Sequence, residues 1–508
     1  MSAVLDKAPL TAHTEGQRQP WAAVLQLARF EARKLLLCAP VLGTFALYVV
    51  WIVWRMPSTG NGFPALQDVD RATQTGPMLP ALAVMLCANQ AVLRSRRQDT
   101  DRHFGVLVLE PWRRTVAHVL SVVPVVALTA LLVAAQFTWA VLEPGSVGRG
   151  SVNELLVGPL TVLLAGAVGV LLARVVPSPF AAPMLLVLAF FSTLFLGAVA
   201  SGGEGSATRW LVPMVGSSSS TSLPSDLLGR PAAWHALYLL GLALTVALAA
   251  VLVNGGRTKT VAALLVVAIG LGTWGAVGQA GKVPKATITA REVATVTPEK
   301  VQSCERHGRA TYCAYPEWMP RATTWANVTD HVQSLAGGTA AQEHLLVRQR
   351  VDARYGMDGD GAIQPSPVPY QVTVGTGWGG PRVPEFAAAV SAVLVLRTEK
   401  ASEQLCDGRM VTIMWLALSW QSNPLAELSK VRLDDSITGS ALVLSPTSPM
   451  SMTAEQTTVV RELFKAGSTS VAPKVKAHWA ELTAPKVTTA RVAELLGVKA
   501  PVGADKCS

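Results

Sequence analysis

Unbroken apolar runs long enough to cross a hydrocarbon core, about 20 residues each, recur along the first 280 residues of this chain and are missing from the rest. Backbone polar groups surrounded by lipid must pair within their own segment, so runs of this kind can only be helices. Seven are expected, at 35–54, 78–93, 115–142, 152–173, 179–199, 232–253 and 261–280, the second being the shortest. A chain of 508 residues with only 15% charged side chains fits no ordinary soluble protein. Asp6, Glu15 and Glu31 precede the first run, so that run reads as a retained anchor and not as a cleaved leader.

The fold class that follows is an α-helical polytopic membrane protein of about seven transmembrane helices, followed by a helix-rich α+β extracytoplasmic domain. Residues 1–34 form a cytoplasmic N-terminus with an amphipathic helix, 35–281 the bundle and 282–508 the domain. The net charge of +10 invites a nucleic-acid reading, but the basic residues sit at span ends and no polybasic run mixed with aromatics occurs. Membrane lipid is the expected partner of that charge, and nucleic acid is not.

Lys and Arg beside short loops keep those loops cytoplasmic. With the N-terminus inside, Lys7, Arg18, Arg29, Arg33, Lys34, Arg94, Arg96, Arg97, Arg102, Arg113, Arg114, Arg174, Arg257 and Lys259 fall on the cytoplasmic side. Arg55, Arg71, Arg149, Arg209 and Arg230 fall outside. An odd number of spans then exports the terminal domain of a cell-membrane protein. Cys304, Cys313, Cys406 and Cys507 all lie in that domain, an even number suited to an oxidising compartment. Four cysteines allow three pairings. Cys304 with Cys313 and Cys406 with Cys507 is the preferred one, the first closing a short hairpin-like loop, and unpaired buried thiols are the alternative.

Ahead of the first span, Trp21, Val24, Leu25, Ala28 and Ala32 recur at helical spacing, with Gln26, Arg29 and Arg33 opposite. That pattern suits a helix lying in the interface or a plain extension of the first span. The longest cytoplasmic loop, 94–114, carries charge at both ends and an apolar stretch, Phe104 to Leu109, between them.

These two features resemble the membrane subunit of type-two ABC exporters. In that family an amphipathic elbow helix precedes the first span, and the loop after the second span carries a coupling helix that seats on the ATPase. Trp21, Arg29 and Arg33 stand where the elbow belongs, and Asp101, Arg102, Gly105, Glu110, Pro111 and Arg114 resemble the charged, glycine and Pro-basic pattern after the second span, with Arg97, Asp101, Arg102 and Glu110 as candidate docking contacts and Trp112 as an interfacial anchor. The resemblance also implies partly re-entrant structure at about Ser201 to Pro231. It covers about the first 255 residues; the seventh span and the terminal domain depart from it. The family resemblance implies a separate ATPase subunit, and a homodimer or a second permease to complete the path.

No G-x-x-x-x-G-K-[ST] occurs, so the chain is not itself expected to hydrolyse ATP. The middles of the spans hold few ionisable groups, which argues against ion coupling. Asn89, Gln90 and Gln136 there suit helix–helix hydrogen bonds. His307, His331, His344 and His478 are widely separated and no C-x-x-C pair occurs, so no catalytic group, metal or cofactor is expected. In the domain, strands are expected at Ala286–Thr289, Leu345–Val351 and Tyr370–Val374, and helices at Trp325–Leu335, Glu385–Leu396, Met410–Trp420, Ala454–Ala466, Val475–Leu482 and Thr489–Leu496. Thr453-Ala454-Glu455-Gln456 carries a capping-box signature. A non-transporting receptor or scaffold, whose outer domain binds an envelope component or partner protein, is the competing function.

Overall fold

The computed structural model describes residues 19–55, 62–98, 109–188, 191, 210–213, 222–356, 363–431, 440–442, 447 and 450–499. Its first half holds five helical segments long and apolar enough to cross a membrane: Met78–Ser95, Pro111–Leu142, Val152–Val175, Ala232–Val253 and Lys259–Gln279. Helix α1 (Gln19–Leu36) precedes α2 (Ala39–Arg55). The two meet at a bend of 58°, and taken together they make a sixth candidate span. The expected span at 179–199 is helical over residues 181–188, and its residues 189–190 and 192–199 lie outside the described ones. The chain is thus a helix-rich polytopic membrane protein.

Two helix contacts in the bundle are set by glycine. Helices α4 (Met78–Arg97) and α7 (Val152–Val175) touch so closely that a Cβ on Gly169 would lie 2.3 Å from the Met85 carbonyl oxygen. In α8 (Ala232–Val253), a Cβ on Gly241 would lie 2.2 Å from the Gly272 nitrogen of α9 (Lys259–Gln279). Lipid supplies no hydrophobic drive between helices, so close backbone approach through small residues is what joins them. Two of the three expected polar side chains add to this: Asn89 Nδ2 donates to the Gly169 carbonyl at 3.2 Å, and Tyr48 Oη donates to Gln136 Oε1 at 3.0 Å. Between α4 and α7 lie α5 (Pro111–Leu120) and α6 (Val123–Leu142), which follow one another as a single 32-residue span with Pro in the first turn of each.

The domain carries a four-stranded sheet in the order β1-β2-β3-β4. Strands β1 (Ser303–His307) and β2 (Ala310–Ala314) form an antiparallel hairpin around Gly308, whose φ of +57° suits glycine. Cys304 sits directly opposite Cys313 and is disulfide-bonded to it, as the short spacing suggested. Cys406 is also disulfide-bonded, and its expected partner Cys507 lies outside the described residues. Strands β3 (Leu346–Gln349) and β4 (Gln371–Val374) add in parallel. The core beneath the sheet is helical: α12 (Arg382–Leu396) and α13 (Arg409–Leu418) are buried over almost their whole length, together with Trp318, Trp325 and Trp415. The capping box at Thr453 and Gln456 opens the helix Ala454–Ala466 as expected.

One expected strand is corrected. Ala286–Thr289 belongs to helix α10 (Lys285–Val296), opened by Pro284. Four alternating residues are too few to specify a strand, and α10 buries Arg291 and Ala294 at helical spacing.

The domain is not tethered loosely. Its hydrophobic core is continuous with Val147, Trp210, Leu223, Leu227 and Leu228, which come from connections between spans. Arg321, at the end of the turn Pro316–Arg321, is 2% exposed and donates to the carbonyls of Thr376 at 2.7 Å and Phe63 at 2.6 Å, with Pro64 and Gly145 each at 3.4 Å. Arg291 donates to Leu227 and Leu228 at 2.7 and 2.9 Å. The Ser225 amide and hydroxyl donate to the Glu317 carboxylate. All the bundle segments involved lie at one end, called here the domain end.

Two predictions follow from this packing. Gly241→Val should prevent correct bundle assembly, seen as aggregation in size-exclusion chromatography, whereas Gly270→Val, where a Cβ meets nothing within 4 Å, should behave as wild type. Arg321→Ala leaves the Phe63 and Gly145 carbonyls without the guanidinium, while Thr376 keeps Trp318 Nε1 and Pro64 keeps the Val147 amide; it should cost about 3 kcal/mol, read as a lowered Tm of the domain.

Candidate functional site

The sequence placed its candidate residues at the end of the bundle away from the domain, and the described ones do gather there. Helix α1 lays Val24 and Ala28 on Ala117 of α5 in one apolar cluster. Its outer face carries Arg29 and Arg33, both exposed. Leu25, expected on the apolar side, is 52% exposed instead. Trp21 meets the Trp112 ring edge-on at 6.2 Å. Glu31, 7% exposed, is 3.4 Å from Arg94 of α4.

Glu110 caps α5 by position and Pro111 is its first residue, a place where the missing N–H costs nothing. The Glu110 carboxylate accepts from Trp112 Nε1 at 2.6 Å and pairs with Arg113 at 3.3 Å. The Pro111 carbonyl accepts from Asn254 Nδ2 at 2.7 Å, which ties the start of α5 to the end of α8. Arg97 is exposed in the last turn of α4. Asp101, Arg102 and Gly105 lie outside the described residues, so the middle of the expected docking loop receives no structural account. What the described part offers is a face on which α1, the end of α4, the start of α5 and the α8–α9 turn are mutually pinned.

A second polar cluster, at the domain end, was not anticipated. Arg230 Nη1 donates to the Gln67 carbonyl at 2.8 Å and to Asp70 Oδ1 at 3.2 Å, and lies 4.0 Å from Glu154 Oε1. Asp68 approaches the other terminal nitrogen at 3.8 Å. Gln74 donates to Glu154, and the Ser151 amide donates to Asp70 Oδ2 at 2.7 Å. Asp70, in the short helix α3 (Leu66–Ala72), is 1% exposed. Burial pushes its carboxyl up to about 7 against the lowering pull of the Ser151 amide and the Arg230 guanidinium. Three acids, Asp68, Asp70 and Glu154, thus share one guanidinium.

These residues are some 80 to 160 positions apart in the chain, which is why the sequence reading left Arg230 as a topogenic loop charge and passed over Asp70. Glu154 carried the one available signal, as the only acid in the first turn of an apolar span. Nearby, His235 Nδ1 lies 2.9 Å from Gln279 Oε1 and its Nε2 3.2 Å from the Pro213 carbonyl, while Gln279 donates to Trp210 at 2.9 Å. Among the described residues no group of three or more His, Cys, Asp or Glu side chains could hold a metal ion.

A carboxyl raised by folding stabilises the native state fully below its unfolded value near 4, and that contribution is lost as pH rises through about 7. Asp70→Asn should therefore flatten the pH dependence of stability: between pH 5 and 7 the wild type should lose up to ~1.4 kcal/mol per pH unit relative to the variant, measured by paired thermal melts.

Comparison of the chain with protein-family models, with curated proteins and with solved structures finds no match.

Proposed function

We propose that this chain is the membrane subunit of an ABC-type exporter, driven by a separate ATPase that docks on the end of the bundle away from the domain. The observation that carries the reading is the pinning of α1, α4, α5 and α8 at that end through Trp21 with Trp112, Glu31 with Arg94 and Pro111 with Asn254. A push delivered to the 94–114 loop is transmitted by these contacts to several spans together, which is what coupling to a motor requires.

In this reading the N-terminus and the loop are cytoplasmic, seven spans cross the cell membrane, and the terminal domain is extracytoplasmic. Three facts favour it. Basic residues are enriched at the docking end. Val175 closes α7 at the docking end, whereas Trp210 packs into the domain core, which supports one more crossing between them. The Cys304–Cys313 disulfide suits an oxidising compartment. Arg97, Asp101, Arg102, Gly105, Glu110 and Pro111 make the docking contacts, and a homodimer or a second permease completes the path.

The alternative, a receptor or scaffold without transport, draws on the firm seating of the domain through Arg321 and Arg291. Co-purification from the native membrane in mild detergent separates the two. An ATPase with Walker motifs should accompany the chain, and Arg97→Glu with Arg102→Glu should cut its recovery about tenfold, roughly 1.4 kcal/mol of binding, with membrane insertion intact. Absence of any ATPase, or full recovery and activity in the double variant, sinks the transport reading and leaves the scaffold.

A further inference from the structure

A groove of about 270 Å³ runs between α5 and α9 over α8, in the half of the bundle next to the docking end. Its walls include Val119 and Leu120 of α5, Leu248 and Val251 of α8, and Leu264 and Val267 of α9, and every lining residue is valine, leucine or alanine. On α9 the lining runs from Leu264 to Leu271, about 7 to 18 Å from Lys259 at 1.5 Å per residue. That is the depth of the acyl chains of one leaflet, half of a hydrocarbon core about 30 Å thick. We propose that the groove holds an acyl chain of an anionic phospholipid in the leaflet at the docking end, with its phosphate resting on Arg257 and Lys259.

The mouth of the groove is a fixed frame. Asn254 Nδ2, at the end of α8, donates to the Pro111 carbonyl at 2.7 Å and to Thr115 Oγ1 at 2.8 Å, which ties the α8–α9 turn to α5. A Cβ on Gly256 would lie 2.6 Å from Val251 Cγ1 and 3.2 Å from Trp112 Cβ, so the turn closes directly onto the groove wall. Arg257 and Lys259 follow, and both are exposed. Neither pairs with an acid among the described residues. Arg113, at the same level, is committed to Glu110 at 3.3 Å and lies over the Trp112 ring. Two uncompensated cations above a wholly apolar slot match the two parts of an anionic lipid, and basic sites between spans are where such headgroups bind.

Position and size both favour a lipid as the occupant. Indoles at span ends mark the headgroup level of a bilayer, so Trp112 places the start of the acyl region just inside the mouth. A stretch of helix about 11 Å long and 10 Å across occupies roughly 860 Å³, about three times what the groove holds. A hydrocarbon chain is narrow and flexible enough to lie in it. The site does not rest on the ATPase-docking reading, since it needs only that α5, α8 and α9 cross a bilayer.

The test uses the full chain, purified without an ATPase in an uncharged detergent. Thermal unfolding is followed during titration by phosphatidylglycerol, by phosphatidylcholine with the same acyl chains, and by glycerophosphoglycerol, the headgroup without chains. Phosphatidylglycerol should raise the melting temperature saturably, phosphatidylcholine should need about tenfold more, and the bare headgroup should have no effect. Arg257→Gln with Lys259→Gln should bring phosphatidylglycerol down to the level of phosphatidylcholine. Leu264→Trp, at a position 51% exposed, fills the groove and should weaken both lipids about tenfold. Val277→Trp, at a position 68% exposed near the other end of α9, should titrate as wild type. Equal protection by the two lipids, or protection by the bare headgroup, would overturn the assignment to an anionic phospholipid. Unchanged affinity in Leu264→Trp would overturn the groove as the site, and a dimer that this variant dissociates would assign the groove to a second copy of the chain instead.

Discussion

Arg321 has no carboxylate among its hydrogen-bond partners, and its burial holds its pKa down to about 10, yet it remains a cation at any physiological pH. Its guanidinium is satisfied by backbone carbonyls from three separate stretches of chain: residues 63–64, residue 145 and residue 376. A planar fork with five donors can join segments in this way where a lysine cannot. Two of those stretches belong to connections between spans and one to the domain, so the placement of the domain on the bundle depends on a charge that would be costly to leave unpaired. The hydrophobic core follows the same seam, running from Val147 and Leu227 into Trp318 and Trp325 without a break.

The two ends of the bundle are built differently because they carry different burdens. At the domain end, polar groups are buried and must find partners inside the protein, which draws Asp70, Glu154, Arg230 and Gln74 into one network. At the opposite end the basic side chains Arg29, Arg33 and Arg97 stay exposed, and order comes from aromatic and apolar contacts between α1 and α5 together with the Glu31–Arg94 pair and the Asn254–Pro111 hydrogen bond. Exposed cations over a pinned frame suit docking, whereas a buried network suits a fixed joint.

Several elements were legible before any coordinates. The spans could be read because a bilayer imposes both length and apolarity on each one. The Cys304–Cys313 pair was the preferred one because its nine-residue separation closes a short hairpin-like loop, with the other pairings and unpaired thiols left open until the structure. The α1 stripe was read mostly correctly through Val24, Ala28 and Ala32, but Leu25 falls at its edge and is exposed. The Ala286–Thr289 strand was misread because a four-residue alternation is weaker than the helix start set by Pro284 and the packing of Arg291 on Leu227 and Leu228.

By itself the sequence marked the stretches apolar and long enough to cross a membrane, five or six of which are helices of that length, and several local turns and caps, since each of these follows from neighbouring residues and a known solvent. Tertiary structure alone decided that Gly241 touches Gly272, that Arg321 joins bundle to domain, and that Arg230 is buried among Asp68, Asp70 and Glu154. Those outcomes depend on groups up to 258 residues apart meeting at atomic distances, and no periodicity or spacing in a linear chain encodes which of its charges will be buried together.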